Sequence, residues 1–89
     1  MEINYLFRIT ARTDQEAHLR ALLLNSIGGQ PLILKSLKSD DLEHTEKVEI
    51  QAVLTSTGRQ NSLLEQIVSR LSLESSVSGV SWAILAENE

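Results

Sequence analysis

The chain has 89 residues, 42 % of them hydrophobic, a net charge of −4 and no cysteine. That length holds one domain with a modest core, and the missing cysteine excludes disulfides, thiolate catalysis and cysteine-ligated zinc or iron–sulfur clusters. Residues 1–39 hold five basic and three acidic side chains, residues 40–89 three basic and nine acidic, and with no basic stripe interleaved with aromatics nucleic-acid binding is disfavoured.

Residues 3–11 alternate. Ile3, Tyr5, Phe7, Ile9 and Ala11 share one face and Asn4, Leu6, Arg8 and Thr10 the other, which predicts a first strand with the former set buried and Leu6 as an outward blemish. Thr13 followed by Glu16 has the spacing of a capping box, and Asp14 and Glu16 suit the positive end of a helix dipole. A first helix is therefore expected from Asp14 to Ile27, stopped by Gly28-Gly29. Leu19, Leu22, Leu23 and Ile27 form one apolar face, and Ala17, Ala21 and Leu24 a displaced second one. The second set is either the margin of a wide core face or a contact surface for another subunit or domain.

A second strand is expected from Gln30 to Ser39. Pro31, Lys35 and Lys38 mark it as an edge. A polar connection then leads to the cleanest strand, Lys47 to Thr57, where Val48, Ile50, Ala52 and Leu54 alternate with Lys47, Glu49, Gln51 and Thr55. One apolar and one polar face indicate a sheet covered on one side. A second helix, capped by Asn61 or by Ser62 with Glu65, runs to Leu71. A fourth strand follows from Val77 to Leu85, with Ala86 to Glu89 as a frayed tail. No charge occurs between Val77 and Leu85, so this edge lacks the protection written into the second strand.

The order is β-α-β-β-α-β. It predicts an α+β, ferredoxin-like sandwich, a four-stranded antiparallel sheet with two helices on one face. Strands 1 and 3 are expected at the centre, strands 2 and 4 at the edges.

No catalytic constellation is present: no GxSxG, no HExxH, no glycine-rich phosphate loop after the first strand. Asp40, Asp41, Glu43 and His44, with Glu46 beside them, fall within seven residues. Such oxygen ligands are one way to hold Mg²⁺ or Ca²⁺, although the spacing is not that of an EF-hand. The competing reading is an ordinary polar hairpin loop. His18 reads as a solvated surface histidine. Trp82 reads as a core residue whose indole N–H finds a partner at the sheet margin. No cofactor is expected.

The longest apolar run, Ala21 to Leu24, is far short of the roughly 18 residues of a membrane span, and Met1-Glu2-Ile3-Asn4 does not open a signal peptide. The chain is expected to be cytosolic or a soluble piece of a longer protein.

The segments Asp14 to Leu24, Glu46 to Leu54 and Leu64 to Glu74, and above all Arg70-Leu71-Ser72-Leu73-Glu74 running into Val77-Ser78-Gly79-Val80-Ser81-Trp82, resemble the C-terminal soluble domain of the MgtC/SapB family. The resemblance implies a single ACT-like domain over 1–89 from a longer bacterial inner-membrane protein, lying at the cytoplasmic face. The membrane would be reached only through a helical N-terminal domain. It further implies a non-enzymatic regulatory or protein-interaction role linked to magnesium homeostasis and virulence, with a second copy or another membrane protein as partner. The alternative is an ACT-type sensor of an amino acid or Mg²⁺. Amino-acid-binding ACT domains resemble one another in a glycine near the start of the first helix. Here that turn is Thr10-Ala11-Arg12-Thr13-Asp14, which leaves dimerisation as the better inheritance.

Overall fold

A computed structural model describes residues 1–88. Strand β1 (Glu2–Arg12) leads through a 3₁₀ turn (Thr13–Gln15) into helix α1 (Glu16–Ile27). Strands β2 (Ile33–Asp41) and β3 (Lys47–Thr57) form a hairpin, and helix α2 (Asn61–Leu71) returns the chain to strand β4 (Val77–Asn88). The sheet is antiparallel, in the order β2-β3-β1-β4. The ferredoxin-like βαββαβ arrangement and the central placing of strands 1 and 3 are therefore as the sequence implies.

The alternation in β1 is complete. Ile3, Tyr5, Phe7, Ile9 and Ala11 are fully buried, as are Val48, Ile50, Ala52 and Leu54 across the ladder. Leu19, Leu23 and Ile27 from α1 and Leu64, Ile67 and Leu71 from α2 close the other side of one aliphatic core.

Four expectations change. The capping box does not form: α1 begins at Glu16 with no side-chain cap, because the backbone here is already engaged. The Arg12 N–H donates to the Ser76 carbonyl at 3.1 Å and the Thr13 N–H to the Glu46 carbonyl at 2.9 Å. Helix α2 also lacks a cap from Asn61 or Ser62. Instead the Tyr5 hydroxyl accepts from the Gln60 N–H at 2.8 Å and donates to Asn61 Oδ1 at 3.0 Å. The second strand starts later and ends later than expected, since Gly29 (φ 75°) and Pro31 hold the chain in turns up to Leu32 while Asp40 and Asp41 still pair with Glu49 and Val48.

The fourth strand runs past Leu85 to Asn88. Ala86 and Glu87 pair with Asn4 and Ile3, and Glu87 forms an ion pair with Arg59. Glu89, the last residue of the expected tail, lies outside the described residues. Trp82 is half-buried, edge-on to Tyr5 with centroids 5.7 Å apart, and its Nε1–H donates to Glu65 Oε1 at 2.9 Å.

The Tyr5 hydroxyl fixes the first turn of α2 to the central strand. Tyr5→Phe keeps the packing and removes both bonds, so it is expected to lower the unfolding free energy by about 1–3 kcal/mol. Phe7→Ala, which opens a cavity, is expected to cost about 3–5 kcal/mol. Urea denaturation read by Trp82 fluorescence measures both, and a Tyr5→Phe protein as stable as the parent would show that the bridge contributes nothing.

Candidate functional site

The strands run antiparallel, so the end of β1 lies beside the β2–β3 hairpin. Between them is an open hollow of about 700 Å³. Arg12 and Asp14 line one side and Asp41, Glu43, His44 and Glu46 the other. The backbone bond from Thr13 to Glu46 ties the two walls together. Arg12 Nε donates to Asp14 Oδ1 at 3.2 Å, between two exposed side chains.

The hairpin tip is ordered by its own hydrogen bonds. The Thr45 hydroxyl donates to the Leu42 carbonyl at 2.8 Å and accepts from the Lys47 N–H at 3.2 Å. His44 sits at φ 62°, a left-handed conformation that asparagine, aspartate and histidine adopt more readily than most residues.

The four residues considered as metal ligands are not brought together. The expected polar loop is strand as far as Asp41, and successive strand residues point to opposite faces. Asp41 pairs with the core-facing Val48, so it lies on the helix side. Asp40 pairs with Glu49 on the open side, where Lys38 Nζ stands 3.7 Å from its Oδ2. Among the described residues no three His, Asp or Glu side chains are grouped so as to hold an ion. Asp41, Glu43 and His44 share the hollow; Asp40 does not. Arg12 and Asp14 join it from a distant part of the chain, and no local pattern announces that.

The second candidate surface lies on α1. Leu19, Leu23, Ser26 and Ile27 face the core. Ala17 and Ala21 are exposed and Leu24 is 42 % exposed, outside the packed core. Arg20 Nη1 donates to Ser39 Oγ at 2.9 Å and anchors this side of the helix over β2. Ala17, Ala21 and Leu24 border a shallow depression with Glu16 and Arg20.

His18 is less free than expected: its Nε2 lies 2.8 Å from Glu74 Oε1, joining α1 to the turn before β4. The fourth strand is also better protected than its composition implies. Ser78 and Leu85 are unpaired extra residues at two register shifts against β1, and bulges of this kind disrupt an edge as a pairing template.

The family model described as the MgtC/SapB C-terminal domain matches residues 5–82. An uncharacterized protein of Synechocystis is 39 % identical over 89 residues, covering 98 % of this chain and 38 % of that protein. The protein MgtC of Brucella abortus is 42 % identical over 80 residues, covering 90 % of this chain and 33 % of that protein. The chain thus spans little more than a third of the curated relatives it matches. In structure it is similar to the C-terminal domain of the MgtC protein from Mycobacterium tuberculosis. The TM-score is 0.84 at 24 % identity, over 98 % of this chain and 94 % of the other.

The left-handed residue at the hairpin tip gives a direct check. Glycine carries no steric penalty there, whereas other residues lose about 1–2 kcal/mol, offset in part by the greater freedom of unfolded glycine. His44→Gly is expected to raise the unfolding free energy by about 0.5 kcal/mol, measured by thermal or urea denaturation.

Proposed function

This chain belongs to the MgtC/SapB C-terminal domain family, and from that premise we propose that it is a non-enzymatic regulatory or protein-interaction domain of a longer membrane protein of the MgtC type. The observation that carries the reading is the match across residues 5–82 combined with coverage of only about a third of the relatives' length. The family is not a recognised enzyme family. Among the described residues no helix is long and apolar enough to cross a membrane, so attachment would come from the remainder of the longer protein. The domain would then work at the cytoplasmic face, in a role linked to magnesium homeostasis and virulence.

Exposure of Ala17, Ala21 and Leu24 supports α1 as a contact surface, because a helix face outside the core can be altered without cost to folding. In the intact membrane protein, Ala21→Arg combined with Leu24→Lys is expected to leave protein amounts unchanged and to abolish growth support at low magnesium. Unchanged growth with both substitutions would remove α1 from the reading.

The hollow at the hairpin gives a second reading, an ACT-type sensor of a small ligand. Asp41, Glu43 and His44 line it without being grouped to hold an ion, which favours an amino acid with a free amine. A ligand specific to the folded state raises the melting temperature. Under the interaction reading, Mg²⁺ and the common amino acids at millimolar concentration are expected to leave that temperature unchanged in a thermal-shift assay. A rise that Asp41→Asn abolishes would establish the sensor instead.

A further inference from the structure

The face of the sheet turned away from the helices is bare among the described residues. Toward the hairpin it carries Lys38, Arg8, Asp40 and Glu49, and in the middle Val53, Leu6 and Ala83 make an apolar row across β3, β1 and β4. At the opposite end large apolar side chains gather. Among the described residues five large hydrophobic side chains are exposed, and three of them lie here: Met1, Ile33 and Leu85, at 57, 63 and 53 %. Ile33, Thr55, Asn4 and Ala86 form one row by register, with Leu85 the unpaired residue beside it. The other two, Leu24 and Leu73, stand apart, on α1 and in the turn after α2.

A hollow of about 410 Å³ opens at this end, where β3 stops between the starts of β1 and β2. Met1 and Glu2 wall one side, Pro31 and Ile33 the other, and Thr55 lies between them. Backbone bonds fix both walls. The Gly58 N–H donates to the Met1 carbonyl at 2.8 Å, which carries the β1–β3 ladder to residue 1. The Gln30 N–H donates to the Ile27 carbonyl at 3.1 Å and the Leu32 N–H to the Gln30 carbonyl at 2.8 Å. The Thr55 hydroxyl is engaged by Asn4 Oδ1, and among the described residues no buried side-chain polar atom lacks a partner. The charged members of the hollow, Glu2 and Lys35, are exposed. It therefore offers apolar surface and no free buried donor or acceptor, which suits an apolar side chain better than a polar ligand.

Resting on the reading of this chain as part of a longer protein, we propose that the hollow is the docking site of the segment that precedes residue 1 in that protein. The matched region is about a third of the curated relatives' length and is described as C-terminal, so most of a relative lies before it. The chain then enters the domain at Met1, already beside the hollow. From β1 to β2 is two strand spacings, roughly 10 Å, which three extended residues cover at about 3.3 Å each. Side chains from about the third to the fifth residue before residue 1 therefore reach Pro31 and Ile33. Docking there covers Met1 and Ile33 and holds the domain at a fixed angle to what precedes it.

Two chains test this: the 89-residue chain, and the same chain preceded by the roughly ten residues that come before it in the longer protein, enough to span and then dock. The extended chain is expected to melt about 5 °C higher, the shift that a small gain produces in a domain of this size. Ile33→Lys is expected to remove that rise and to leave the 89-residue chain unchanged, since Ile33 is mostly exposed. Should the lysine disturb folding, Ile33→Cys decides the matter, because the 89 residues hold no other cysteine. Its reaction with a maleimide is expected to be about tenfold slower in the extended chain, as it is when a covered state is about nine-tenths populated. Equal melting temperatures and equal thiol rates, or a rise that survives Ile33→Lys, would overturn the docking. Protection that appears only at high protein concentration, or only on phosphatidylglycerol vesicles, would give the hollow to a second copy or to a lipid surface and overturn it as well. The regulatory reading is judged apart from all of these, by the growth experiment.

Discussion

The structure depends on the position of one strand. β1 is hydrogen-bonded along both sides, to β3 over its whole length and to β4 over nearly all of it. One of its faces is sealed beneath both helices. A slip of one residue would carry Ile3, Tyr5, Phe7, Ile9 and Ala11 to the bare face and put Arg8 into an aliphatic core. Tyr5 extends this control further, since its ring packs in the core while its hydroxyl organises the first turn of α2. The positions of α2, the chain leading into β4 and the Tyr5–Trp82 contact all follow from that strand being where it is.

Period explains what the sequence reveals of this fold. A strand buried on one face must alternate, and β1 and β3 do so over their full length. The contacts that escaped are those in which a distant segment competes for a local group. The Thr13–Glu16 spacing reads as a cap, yet the backbone at Thr13 is held by Glu46 from another hairpin. Asn61 reads as a cap too, yet its side-chain oxygen accepts a hydrogen bond from the Tyr5 hydroxyl. In the acidic run, closeness along the chain gives way to strand geometry, which sends Asp40 and Asp41 to opposite faces. The family resemblance was legible because it lies in the wording of nearly the whole chain, most specifically Arg70 to Glu74 running into Val77 to Trp82, and does not depend on any cap.

Three surfaces of the domain have distinct physical character. The hollow at the hairpin is bordered by charged side chains and built from two backbone segments tied together. The outer side of α1 is small and aliphatic, anchored over β2 by Arg20. The bare sheet face combines an apolar row with balanced charges. The hollow and the outer side of α1 adjoin, since Thr13 and Asp14 line both.

The first and last strands are neighbours, and Glu2 pairs with Asn88. Both ends of the described chain therefore leave from the same short side of the sheet, opposite the hairpin hollow. Tension applied between these ends would not shear the β1–β4 ladder as a unit; it would peel it, loading one pair of hydrogen bonds after another from the Glu2 end. The domain is mechanically soft along that one direction, however well its core resists heat or urea.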